Sequence, residues 1–391
     1  MAKGKKYTGI VLEDNTLKIA IVRVADKKLS LVKLDKYTLL TSLDTIKESN
    51  ESEDAFSGME ADLSDTDVFD LDLDSALEED VLNLDDVDLD LDSDDDLELE
   101  LEELEQNEEI VDIDTDLVDE SEAPASNELL LYNILSSVDP KKINVALNIP
   151  AGGAIYQILK DVDFNDLKKK DLQIIVDDRL ESLYGSPRGE DFYSYGVRDD
   201  GALLLSSIDE EPQLISLIDR TQSLYRGKLF IEEVLPDETI LLGLIKANYE
   251  LEEGEITCLI QFSESNCRVI FLRGNRLWLV SPVITEGTAS KKFLNTVFSK
   301  ILFQLDTGEV PSLDRLIICN NSLHEASINF FEERFPGIEV SEFSFSEDFF
   351  DPGDYTSESL APFITAIGTA WSGTNFEKSN FPDISFLPKY V

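Results

Sequence analysis

The chain has 391 residues, with 82 Asp or Glu against 33 Lys or Arg, a formal net charge of −49, three cysteines, one histidine and no run of 18 apolar residues. That content excludes a disulfide framework, a zinc or haem site and a membrane-spanning helix. Residues 51–120 hold 33 carboxylates and no Lys or Arg, so only −16 belongs to the rest, an ordinary value for a soluble body of that size.

The opening residues, MAKGKKYTGIVLEDN, carry basic groups without the apolar core of a secretory signal, and the expectation is a cytosolic protein with reduced thiols. Alternating apolar positions predict strands at 7–12, 17–24 and 29–40, joined by tight turns at 13–15 and 26–28. These three strands make a meander. The acidic region follows, about 44–127. Its Asp-Leu repeats at 70–74 and 88–92 and Leu-Glu repeat at 97–102 place an aliphatic at every second position. Dense like charge without a packed face cannot offset the ordering entropy, so the region is expected to be a disordered loop. It reads as a solvated tether or as an acidic-aliphatic segment that captures a basic protein partner. Asp90, Asp92, Asp94 and Asp96 alternate like the start of a calcium loop, but no glycine takes the turn and no cage follows.

Order resumes with a short helix at 129–138 and a buried-type strand at 143–149. The segment 152–230 is expected to hold a helix at 165–183, strands near 191–197 and 201–207, and a helix near 211–226. A strand at 230–234 and a helix at 237–248 lead into a second meander at 256–262, 266–272 and 276–282, with Gly274-Asn275 as a hairpin turn. Helices at 288–305, 322–335 and 357–371 and strands at 313–319 and 338–343 complete the pattern, and 375–391 reads as a polar and aromatic tail. Lys168-Lys169-Lys170 is flanked by Asp166 and Asp171, and no longer basic stripe stands out, which argues against a nucleic-acid partner. Cys258, Cys267 and Cys319 fall on predicted strands as small core residues. Trp278 and Trp371 read as core or interface anchors, His324 as a capping or surface residue, and the carboxylates between Asp177 and Asp191 as solvated.

The organisation is a duplication: a meander followed by strand–helix units occurs at 7–150 and again at 256–343. That plan resembles the actin, heat-shock-chaperone and sugar-kinase fold, an α/β ribonuclease H-like duplication. More narrowly, it is similar to the type IV pilus assembly protein PilM family and its relative FtsA. The first phosphate hairpin of that family falls on Gly9-Ile10-Val11-Leu12-Glu13-Asp14-Asn15-Thr16-Leu17-Lys18. The second falls on Ile260-Gln261-Phe262-Ser263-Glu264-Ser265-Asn266, the adenosine loop on Ile318-Cys319-Asn320-Asn321-Ser322-Leu323, and the closing helix on 364–370. The resemblance implies a first subdomain from 1–43 and 128–151, with about 230–250 and 370–391. It implies a second subdomain at 251–369, a partner-binding insertion at 152–230 and the acidic insertion at 44–127.

The resemblance implies ATP and magnesium in a cleft lined by Val11, Glu13, Asn15, Thr16, Lys18, Gln261, Ser263, Ser265, Asn320 and Asn321. The residues themselves argue against both. Val11 stands where the family has its metal-orienting Asp, and Glu13 where it has a glycine. Gln261 and Ser263 replace the second Asp and Gly, and Asn320 and Asn321 the adenosine-loop glycines. Lost glycines remove the close backbone approach, and Glu13 and Asp14 repel phosphates. Lys18, Thr16 and Ser265 keep the chemistry to contact a ligand. The expectation is a protein without catalytic or metal-binding residues. It would be a cytoplasmic scaffold peripheral to the inner membrane, able to self-associate, that binds a short Ile-Asn-Leu-Leu-Pro-like peptide of a bitopic PilN-like partner. An ATPase with divergent phosphate loops and a filament-forming protein are the two other readings. The stretch Asp383-Ile384-Ser385-Phe386-Leu387-Pro388 looks like such a peptide, or is an ordinary extended segment packed on its own domain.

Overall fold

The computed structural model describes residues 4–25, 27–43, 126–285, 288, 290, 292–320 and 326–389. The predicted first meander is β1 (Lys6–Glu13), β2 (Thr16–Ala25) and β3 (Lys28–Thr38). The turn between β1 and β2 puts Asp14 at φ 52°, a left-handed conformation that short polar side chains accept. Helix α1 (Asn127–Val138) starts where the Ser126 side chain accepts the Leu129 N–H. The Asn127 amide bridges back to Leu40 N and Thr41 O, at 2.8 and 2.9 Å, and so clasps the two ends from which the acidic stretch departs. The stretch itself, with the aspartates at 90–96, lies outside the described residues.

Strand β4 (Lys142–Ile149) runs parallel to β1, and β8 (Lys228–Pro236) parallel to β4. Between them, β5 (Ile155–Leu159), β6 (Tyr193–Val197) and β7 (Leu203–Ser207) form a separate antiparallel sheet in the order β5-β7-β6. Helix α2 (Lys169–Tyr184) lays Leu172, Val176 and Leu180 into a small core with Phe164, Leu203 and Leu205. Within 152–230, α3 (Gln213–Gln222) packs instead against α1 and β4. Strand β5 was not expected: its five residues are mostly half-buried and show no clean alternation.

Helix α4 (Asp237–Asn248) precedes the second meander, β9 (Ile256–Phe262), β10 (Cys267–Arg273) and β11 (Arg276–Val280). Helix α5 (Phe293–Asp306), β12 (Arg315–Cys319), α6 (Ser327–Arg334) and β13 (Glu339–Glu342) follow. Residues 321–325, with Asn321, His324 and the first part of the helix expected at 322–335, lie outside the described residues. A two-residue strand, β14 (Phe350–Asp351), adds to the β3 edge. The helix expected at 357–371 is interrupted at Pro362, which has no N–H to give. One turn at Ser357–Leu360 and a 3-10 turn precede α7 (Ile364–Ser372).

The two large sheets run β14-β3-β2-β1-β4-β8 and β11-β10-β9-β12-β13. Apart from β14 they share one order and one set of directions, which is the duplication expected from the sequence. On β9, Cys258, Ile260 and Phe262 face α5 and α6, while Leu259 turns to the centre, the period of two that a sheet covered on both faces requires. The centre holds α4 and α7. Helix α7 crosses β1 so closely that a Cβ at Gly9 would lie 2.3 Å from Ala366 O. All three cysteines are buried and unpaired, and burial pushes their thiols well above the ordinary range.

Candidate functional site: a cleft ringed by carboxylates

The duplication brings the β1–β2 and β9–β10 hairpins tip to tip. Lys36 reaches Glu264 at 2.6 Å, and the Ser265 hydroxyl donates to Asp14. Beneath the tips lies a cavity of about 490 Å3, lined by Glu13, Asp14, Asp209, Glu210, Glu211 and Asp237 together with Gly152, Ser263, Asn266 and apolar neighbours. Six of its lining residues are acidic, and no described one is Lys or Arg.

Each expected cleft residue that is described has a definite place. Val11 shares a face with Gly9 and is packed into the central core. Lys18 is buried, with Nζ 2.5 Å from Glu13 Oε2, so the cation the sequence reserves for a phosphate is already neutralised. Asn15 donates to Leu39 O at 3.0 Å, and Thr16 pairs with Glu13 at the end of the hairpin. Gln261 points to the centre and donates to Thr365 Oγ1 of α7 at 2.7 Å, away from the cavity. Asn320, at φ 58°, donates to Phe262 O at 2.9 Å, so it holds its own loop to β9. Of the ten, Glu13 and Ser263 line the cavity; Asn321 lies outside the described residues.

The floor is made by residues the sequence reading passed over. Asn148, at the end of β4, exchanges two hydrogen bonds with the Leu12 backbone and donates a third to Asp237 Oδ1 at 2.9 Å. Asp237 Oδ2 accepts from Ala151 N at 3.1 Å. Burial, and then the charge of Glu238, push Asp237 up to about 8, so near neutral pH this carboxyl is mostly protonated. Beside it, Glu238 Oε1 pairs with Arg268 Nη2, both side chains buried, and Glu238 Oε2 accepts from Tyr156 OH at 2.9 Å. That cluster ties together α4 of the first half, β10 of the second and β5 of the small sheet. The sequence carried a signal for it: Asp237-Glu238 directly after Pro236, and Asp209-Glu210-Glu211 directly before Pro212. Acidic first turns are usually read as helix-dipole partners, which hides them.

Chemically, the arrangement repels anions. Asp14, Asp209, Glu210 and Glu211 put carboxylates on the cavity wall, and their charge opposes that of a phosphate. Among the described residues, no group of three or more His, Cys, Asp or Glu could hold a metal ion.

No family model matches the chain, and no curated protein matches it. Solved structures do. A chain of the PilM-PilN type IV pilus biogenesis complex is similar at TM-score 0.56 and 12% identity, over 94% of this chain and 98% of that one. A Bacteroides thetaiotaomicron protein with an actin-like ATPase fold and unknown function aligns at TM-score 0.39 and 7% identity, over 88% and 94%. The cytoplasmic domain of EpsL, an inner-membrane component of the Vibrio cholerae type II secretion system, aligns at 0.39 and 8%, over 99% of both chains. The shared property is the fold: this chain is a duplicated actin-like α/β protein.

Proposed function

We propose that this chain is a non-catalytic actin-like scaffold of a type IV pilus or secretion-type envelope assembly. In this reading it sits in the cytoplasm against the inner membrane and binds a short peptide of a bitopic partner of the PilN kind. The observation that carries the non-catalytic part is the cleft: six acidic side chains line it, and Lys18, the lysine of the first hairpin, is held by Glu13. The assembly part rests on the likeness to PilM over nearly the whole of both chains, in a structure solved as a complex with PilN. No described helix is long and apolar enough to cross a membrane, which fits attachment through a partner. The acidic stretch suits long-range capture of a basic protein.

The test is a titration of a labelled N-terminal peptide from a bitopic pilus-assembly protein, with and without MgATP, alongside a phosphate-release assay. The scaffold reading expects binding that ignores MgATP and no phosphate release above buffer. Peptide binding that requires MgATP, or turnover abolished by Lys18→Ala, would overturn it.

A further inference from the structure

The segment after α7 is not a loose tail. From Ile384 to Lys389 its residues alternate between buried and more exposed: Ile384, Phe386 and Pro388 face inward, while Ser385, Leu387 and Lys389 face outward. That is the pattern of an extended peptide lying in a groove. The groove runs between two sheet edges. On one side, Phe386 N donates to Val234 O of β8, the edge of the six-stranded sheet. On the other, Ser385 N donates to Ser194 Oγ of β6, the edge of the small sheet, at 3.0 Å. The Ser385 hydroxyl and the Lys378 ammonium both meet Glu233 of β8.

Two features separate this segment from an ordinary strand of the body. It forms no ladder with either edge: one backbone bond to β8 and side-chain bonds to both sheets hold it, the way a ligand is held by pockets for alternate residues. It also leaves the groove incompletely filled. A cavity of about 480 Å3 remains beside Ile384, walled by Leu204 of β7, Leu242 and Lys246 of α4, and Leu277 of β11. Arg198, Arg276, Asp199 and Asp383 also line it. The two arginines are paired with Asp200 and Asp199, whereas Lys246 makes no hydrogen bond or ion pair among the described residues and feels Asp199 only at longer range, so that space offers apolar walls and one cation not already in an ion pair.

We propose that Asp383–Pro388 is a cis-bound occupant of this groove. Its partner in trans is an extended peptide with apolar residues at alternate positions and a carboxylate for Lys246, which binds by displacing the segment. This rests on the scaffold reading above and adds its regulation: the docking surface is closed until a competitor or an opening of the segment exposes it.

The probe is a fluorescent synthetic peptide of residues 379–389. It is titrated into the full chain, into an undocked full-chain variant (Ile384→Glu with Phe386→Glu) and into a locked one (Ser194→Cys with Ser385→Cys, oxidised). Occupancy in cis multiplies the apparent affinity by the fraction of open molecules, so the undocked variant binds about tenfold or more tighter than the parent, and the locked one does not bind. Equal binding to parent and folded undocked variant overturns the proposal. Native-state hydrogen exchange checks it without substitution. The Ser385 and Phe386 amides should open about 100-fold or more often than those of β4, and exchange of both only with global unfolding overturns the proposal. A bitopic-protein peptide distinguishes the two readings. If it binds no form of the chain while the 379–389 probe binds the undocked variant, the scaffold reading falls and the cis occupancy stands. If it binds every form equally, the cis occupancy falls alone.

Discussion

Lys18 Nζ stands 2.5 Å from Glu13 Oε2 across the first hairpin, with the lysine side chain 5% and the glutamate 14% exposed. A cation that could have met a phosphate is instead the partner that lets a carboxylate remain at the mouth of the cleft. Removing it by Lys18→Met leaves Glu13 uncompensated beside Asp237. The expected loss is about 3–5 kcal/mol in urea unfolding, and Glu13→Gln with Lys18→Met together should lose less than Lys18→Met alone. A single variant no less stable than its parent removes the pair from the structural account.

The Arg268–Glu238 pair should behave in the same way, with a different readout. Arg268→Met strands a fully buried carboxylate at the junction of the two halves and the small sheet, at a cost of about 3–5 kcal/mol. Adding Glu238→Gln removes the charge and keeps an acceptor for Tyr156, so the double variant regains stability. Limited proteolysis gives a second measure: in Arg268→Met, cuts should concentrate in 155–207, because the glutamate that seats that sheet through Tyr156 has lost its cation. Uniform cutting across the chain would argue that the pair holds no joint.

Asp237 sets a pH dependence whose sign follows from its environment. Its folded-state pKa of about 8 stands above an unfolded value near 3.9. Between those values the folded chain keeps a proton that the unfolded chain has lost, so this group makes stability fall as pH rises from about 4 to 8 and level off above. Asp237→Asn abolishes that slope. It also loses one acceptor, for Asn148 or Ala151, at about 1–3 kcal/mol. The variant should therefore be the less stable at pH 5, with the gap narrowing or reversing by pH 9. Parallel curves for the two proteins across that range would place the titration elsewhere.

The meanders, the strand–helix order and the duplication were legible because buried strands announce themselves locally, by short apolar runs between turn residues such as Ile10–Leu12 and Ile19–Val22, and because one pattern occurs twice. Two residues of the cavity wall were legible too, in single letters: Glu13 and Ser263, at positions the resemblance gives to glycine. The ring of charge was not. Asp209–Glu211 lead into α3, Asp237 opens α4 and Glu13 ends β1, and only the β4–β8 crossover brings them to one cavity. The seating of the last segment was also hidden. Ile384 and Phe386 are isolated apolar residues between prolines, and the edges they cover come from 193–197 and 228–236.

Two glycine substitutions separate contact from conformation. At Gly9 a Cβ would lie 2.3 Å from Ala366 O and 2.5 Å from Ala370 N, both backbone atoms of α7, so no side chain can yield and the helix must move off β1. Gly9→Ala should cost about 3 kcal/mol or more, at the upper end of overpacking, and trimming Ala366 to glycine should not rescue it. Gly185, at the C-terminus of α2, has φ +70° and nothing within 4 Å of its added Cβ, so Gly185→Ala pays only the left-handed strain, about 1 kcal/mol. Urea midpoints rank the two. If Gly185→Ala proves the more damaging, the close crossing of α7 over β1 is not what fixes the centre of the molecule.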